Sequence, residues 1–151
     1  MNYEKVIFVS KSDTSRGPLA AALLNKKLGD EILIESRGMV VLFPEPMNPK
    51  TVAIAASKGI DFEGHTSRAL SNEDFGREVL VLVMDDAGKK AIYDEFEDAV
   101  NVYTIKEFIG EQGSVIDPYG GELPDYAKVY DELEQLTYKL VTKIKYDEVE
   151  V

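Results

Sequence analysis

The chain has no cysteine, and only one of its 151 residues is histidine. Without cysteine there are no disulfides, no paired-thiol redox chemistry and no thiolate nucleophile. Long apolar runs are also missing, and none approaches the ~20 residues of a membrane span. Basic residues are scarce, with 17 Lys and Arg against 28 Asp and Glu, a net charge of −11. That balance leaves no surplus to neutralise a nucleic-acid backbone, which excludes nucleic acid as a partner. The acid surplus serves solubility, and any anion site must be a local positive spot in a negative field. Met1-Asn2-Tyr3-Glu4-Lys5 runs straight into an apolar stretch without the pattern of a secretory signal, so a cytoplasmic location is expected.

What is present reads as one α/β domain over residues 1–151. Lys5 to Val9 is a short apolar run suited to a buried strand. Leu19, Ala20, Leu23, Leu24 and Leu28 then recur at helical spacing. Glu31 to Ser36 alternates as a second strand, and prolines at 44, 46 and 49 make Gly38 to Pro49 a loop. Asn48-Pro49 opens a helix running to Gly59. Ser71 to Asp74 carries a helix-cap pattern with acidic residues in its first turn. Val79 to Met84 is a continuous apolar run, as expected of a central strand covered on both faces. Asp85-Asp86 can cap a helix over 87–96, and Val100 to Tyr103 is a short fourth strand. A polar segment with Gly110 and Gly113 leads to the turn-rich stretch 115–121. A long helix from about Pro124 follows, with Tyr126, Val129, Tyr130, Leu133, Leu136, Leu140 and Ile144 on one face. Tyr130 and Tyr138 are read with Tyr126 as helix-face packing, and residues 146–151 as a fraying acidic tail. Strands alternating with helices predict a small doubly wound, Rossmann-like four-stranded parallel sheet with helices on both faces. Ligands in that class bind beyond the strand C-terminal ends.

The stretch Ser10-Lys11-Ser12-Asp13-Thr14-Ser15-Arg16-Gly17-Pro18 leaves the end of the first strand and enters the first helix. A polar loop between a strand and a helix N-terminus directs backbone N–H groups and the helix dipole at an anion. Arg16 adds a guanidinium fork suited to phosphate oxygens. Lys11 reads equally as a phosphate contact or a solvated loop residue.

Ser10-x5-Arg16-Gly17-Pro18, followed late in the chain by Asp117-Pro118-Tyr119, resembles the low-molecular-weight protein tyrosine phosphatases. Ser36-Arg37-Gly38, Lys58-Gly59-Ile60-Asp61, His65-x-Ser67 and Val83-Met84-Asp85 extend the resemblance over nearly the whole chain. In that family a cysteine thiolate attacks phosphorus, an arginine and the loop N–H groups hold the equatorial oxygens, and an aspartic acid protonates the leaving oxygen. By position, the resemblance implies Ser10 at the nucleophile site, Arg16 as clamp, Asp117 as acid, and residues 10–16 as the phosphate loop. It implies no metal and no cofactor. The implied partners are phosphate or another oxyanion and a phosphorylated protein. His65 corresponds to a histidine that ties the loop down through an asparagine, whose place Asp13 takes here. An Asp13–His65 hydrogen bond is therefore expected, with Asp13 tolerating a left-handed backbone and setting a negative charge near the anion. Leu42, Phe43 and Tyr119 correspond to walls that grip a substrate ring, or else are ordinary loop packing. Thr14 matches a threonine of the bacterial protein-arginine phosphatase branch, which keeps phosphoarginine open beside phosphotyrosine.

The chain departs from that pattern at its centre. Ser10 replaces the cysteine, Gly17 replaces a serine that supports the thiolate, and Ser15 replaces a second cysteine. Phosphate binding is expected to survive these changes and covalent turnover is not. Two origins fit Ser10: a deliberate substrate-trapping replacement, which leaves Gly17 unaccounted for, or a naturally divergent pseudoenzyme. Two functions follow, a phosphotyrosine phosphatase with a disabled nucleophile, or a module that binds a phosphorylated residue without turnover.

Overall fold

The structure, a computed structural model, describes residues 2–62 and 64–146. Strand β1 (Lys5–Ser10) leads into helix α1 (Arg16–Leu28), then β2 (Leu33–Gly38) and α2 (Pro49–Ser57). Next come β3 (Val79–Val83), α3 (Asp86–Glu95), β4 (Val102–Thr104), the short α4 (Ile105–Phe108) and the long α5 (Leu123–Tyr146). All pairings are parallel and the strand order is β2-β1-β3-β4. Because alternate residues of a strand face opposite sides, β1 feeds two cores. Val6 and Phe8 join Leu80 and Leu82 under α1 and α5, while Ile7 and Val9 join Val81, Val83 and Ile92 of α3. Covered on both faces, β1 is apolar from Val6 to Val9 and β3 from Val79 to Val83, as a parallel sheet requires.

Helix α5 buries the predicted face in full, from Tyr126 to Ile144. Tyr138 is a correction: it stands 67% exposed on the other face, with Lys27 Nζ 5.1 Å from its ring centre. Strand β2 begins at Leu33 rather than Glu31, because Glu31 and Ile32 still donate to Leu28 O and so belong to the turn closing α1. Strand β4 begins only at Val102, since Asn101 takes a left-handed φ of 57° that interrupts an extended chain. The expected helix after Ser71 is a single 3-10 turn, Asn72–Asp74, with Ser71 and Asp74 capping each other. Helix α4 lies where only a polar segment was expected, and Thr104 and Glu107 form its reciprocal cap. The expected tail beyond Tyr146 lies outside the described residues. Among the described residues no helix is long and apolar enough to cross a membrane.

Candidate oxyanion-binding site

The loop from Ser10 to Arg16 leaves the C-terminal edge of the sheet between β2 and β3, where the fold class places ligands. Most of its carbonyls accept hydrogen bonds from the segments around it. Ser10 O accepts from Met39 N at 2.9 Å, Lys11 O from Val40 N at 2.8 Å, and Thr14 O from Asn48 N at 2.8 Å. Ser15 O accepts from Leu19 N at 3.1 Å, which starts helix α1. No N–H of residues 11–16 is a donor in these bonds. Most of the loop's acceptors are thus satisfied outside while its backbone donors are unspent among the described residues, the polarity of an anion nest. Side chains brace it: Ser12 and Thr14 hydroxyls meet at 2.7 Å, and Ser15 meets Thr51 of α2 at 2.6 Å. Gly38 lets the loop pass directly over β2, since a Cβ there would stand 2.9 Å from Ser12 C and 3.0 Å from Asp13 N.

Asp13 occupies the back of the loop with a left-handed φ of 60° and is 1% exposed. The expected bond from His65 exists but goes elsewhere: Nε2 faces the Asp13 carbonyl at 3.0 Å and the carboxylate Oδ2 only at 3.9 Å. The left-handed turn swings the carboxylate toward the following connection, where Oδ2 accepts from Arg68 N at 2.9 Å. Oδ1 has no hydrogen-bond partner among the described residues. Burial pushes this carboxyl above its ordinary range, while the Ser36 hydroxyl, Arg68 N–H, His65 and Arg37 pull it back. Arg37 was missed as a site residue. It is 4% exposed, and its guanidinium bridges Glu35 at 2.7 Å and Asp74 at 3.3 Å. The i, i+2 pair Glu35 and Arg37 on one strand face was the available signal. Asp74 comes from a distant turn and gave none.

On the front, Ser10 is 6% exposed and its Oγ has no partner among the described residues. A Cβ at position 17 would stand 2.7 Å from that Oγ, so the serine hydroxyl has its present place only because residue 17 is glycine. Arg16 is 7% exposed; its NH1 donates to Val115 O at 2.7 Å and its NH2 lies 3.6 Å from Asp117 Oδ2. Burial pushes the Arg16 guanidinium down from its ordinary value, opposed by Asp117 and Asp85. Asp117 in turn accepts from Tyr119 N at 3.1 Å, folding 117–119 into an Asx turn. Ser10, Lys11, Arg16 and Asp117 line one cavity of about 520 Å³. Lys11, Ser12, Thr14, Ser15, Asp117 and Tyr119 line a second of about 530 Å³, with Glu45, Asn48 and Tyr126 opposite. Leu42 and Phe43 line neither and are 88% and 65% exposed, so the structure does not bring these two expected wall residues to the loop. Bonds between Glu45 and Ser67, N to Oγ and O to N at 2.8 Å each, pin the 39–48 segment and present residues 45–49 instead.

The family model described as low molecular weight phosphotyrosine protein phosphatase matches residues 5–150. The chain belongs to that family. Its relatives include the low molecular weight protein-tyrosine-phosphatase PtpB of Staphylococcus haemolyticus, 28% identical, with 91% of this chain and 98% of the relative covered. The protein-arginine-phosphatase of Bacillus subtilis is 32% identical, with 94% and 97% covered. Among solved structures, a YwlE arginine phosphatase with serine in place of cysteine and that active-site serine phosphorylated superposes with a TM-score of 0.87. It is 32% identical to this chain, with 95% and 97% covered. Membership makes the absence of cysteine a statement about chemistry as well as redox state.

Proposed function

We propose that this family member holds a phosphorylated protein residue in the loop of residues 10–16 without hydrolysing it. The observation that carries the reading is the Ser10 Oγ, buried and hydrogen-bonded to nothing among the described residues. A hydroxyl needs a base within hydrogen-bond reach to become a nucleophile near neutral pH. What remains intact serves binding. The unspent N–H groups and the Arg16 fork take the oxygens of a phosphoryl group, and Asp117 stands beside the atom that links it to the protein.

Phosphoarginine is favoured over phosphotyrosine as the bound group. Thr14 in the loop and the cavity's composition support this. The second cavity presents the carboxylates Asp117 and Glu45, which suit a cationic guanidinium, and lacks the Leu42–Phe43 wall that would grip a neutral ring.

The test has two arms. Sulfate should raise the melting temperature of the chain, and a phosphoarginine peptide should displace it more readily than a phosphotyrosine peptide. Para-nitrophenyl phosphate should not be turned over, and hydrolysis that Arg16→Ala abolishes would overturn the reading. Ser10→Cys separates the two origins of inactivity. Continued inactivity with sulfate still bound supports the holding role, whereas full turnover from that single change marks a phosphatase lacking only its nucleophile. Intact mass after exposure to phosphoarginine shows whether Ser10 captures the phosphoryl group, as the serine of the YwlE mutant carries one.

A further inference from the structure

Asp13 is a carboxylate built into the middle of a loop whose N–H groups are arranged for an anion. It is 1% exposed, fixed by a left-handed backbone, and cannot swing out to water without breaking the bonds that seat the loop. One oxygen, Oδ2, has the Arg68 N–H at 2.9 Å; the other, Oδ1, is buried and makes no hydrogen bond among the described residues. An ionised carboxylate accepts hydrogen bonds only, so a buried oxygen without a donor is the place where a proton costs least.

The groups around it do not supply a free counter-charge. On β2, Arg37 faces Asp13 but is already bridged to Glu35 at 2.7 Å and Asp74 at 3.3 Å, and Ser36 offers only a hydroxyl. From the 61–70 connection, His65 directs Nε2 to the Asp13 carbonyl at 3.0 Å, and Arg68 contributes its backbone N–H. A cavity of about 260 Å³ behind the loop, lined by Asp13, Glu35, Arg37, His65 and Arg68, gives solvent a route to this face. Two like charges on opposite sides of one loop disfavour each other, and protonation of one relieves the pair. By linkage, whatever favours the anion in front must favour the proton behind, to the same extent.

We propose that Asp13 makes oxyanion binding proton-coupled: the loop takes its anion together with one proton on the Asp13 carboxyl. This rests on the reading of residues 10–16 as an oxyanion loop. Asp13 is thus a positioning residue that sets the charge state in which the loop is receptive. Burial already pushes its carboxyl toward the neutral form.

Sulfate is the probe, because it stays a dianion across the pH range and adds no titration of its own. Calorimetry at fixed pH in two buffers of different ionisation heat reads protons taken up per sulfate bound. For the unaltered chain the expected result is net uptake, with affinity rising about tenfold between pH 8 and pH 5.5, the change that one pKa unit of coupling gives. Asp13→Asn keeps an acceptor for Arg68 N–H, binds sulfate more tightly at pH 8, and loses most of the pH dependence. His65→Gln removes the imidazole that faces the Asp13 carbonyl and should leave proton uptake in place. Binding without uptake in the His65→Gln variant, or identical pH profiles for the chain and Asp13→Asn, overturns the inference while the oxyanion loop stands. Failure of sulfate to bind any of the three at any pH overturns the oxyanion loop and the inference together.

Discussion

Two loops meet at the anion cavities and are held in opposite ways. The loop of residues 10–16 is stitched to the segment after β2 and to the 61–70 connection through its own carbonyls and to α2 through the Ser15 hydroxyl, and Ser10, Asp13 and Arg16 are nearly sealed. The loop of residues 115–121 leaves Ile116 72% and Tyr119 76% exposed. It is held by the Val115 N bond to Met84 O, by Arg16 on Val115 O, and by Lys50 on Gly121 O. The first loop is pre-formed and the second leans on it through Arg16. Three departures from the family motif, Ser10, Asp13 and Ser15, fall in the stiff loop, and Gly17 follows it in the first turn of α1. The loop's main-chain shape is fixed from outside, so its side chains are free to change without unmaking it.

Arg16 is the joint between the two, and removing it should have the largest effect. Arg16→Ala abolishes sulfate stabilisation, worth about 2.7 kcal/mol at a hundredfold excess over Kd. It also frees Val115 O, so amide exchange in 115–121 should quicken while 10–16 stays protected. Equal loosening of both loops would break the distinction. Next in size is Gly17→Ser. Its Cβ would stand 2.7 Å from the Ser10 Oγ, and turning that buried hydroxyl to another rotamer should cost about 1 kcal/mol in the melting transition. An unchanged melting temperature would mean the stiff loop is softer than its bonds imply.

Asp13→Asn gives a pH-dependent shift of stability. A carboxyl raised in the folded state contributes stability below its unfolded pKa, and that contribution is lost as pH rises through the folded value. The variant should therefore melt higher than the chain at pH 8, with the gap closing toward acid; a gap independent of pH contradicts this. The smallest effect belongs to the outer loop. Asp117 is 44% exposed, so Asp117→Asn should change stability by less than about 1 kcal/mol, while sulfate, relieved of its competitor for Arg16, binds a few-fold more tightly in calorimetry.

The sheet and its helices were legible because burial imposes periodicity. The continuous run of β3 and the seven apolar positions of α5 admit few other arrangements. Ends were less legible: the starts of β2 and β4 turn on single backbone choices, the close of α1 and the left-handed Asn101, that composition does not display. Helix α4 was readable in principle from Thr104 and Glu107 at capping-box spacing. In the site, the family resemblance carried by Ser10-x5-Arg16 and Asp117-Pro118-Tyr119 pointed to Ser10, Arg16 and Asp117 as one group, and the three line one cavity. The resemblance did not say which atom of Asp13 His65 would meet, because that depends on a dihedral angle. Leu42 and Phe43 lie in a proline-rich segment whose path is set by the Glu45–Ser67 bonds, a contact across 22 positions that no local pattern announces.

The externally bonded carbonyls of the loop of residues 10–16 have a consequence for how this protein can change over time. A receptor assembled from main-chain N–H groups is anonymous: most residues in the loop supply the same donors. Recognition is therefore inherited with the backbone, whereas turnover is lodged in a few detachable side chains. A lineage can shed catalysis in one or two substitutions and keep a reader of the same chemical mark.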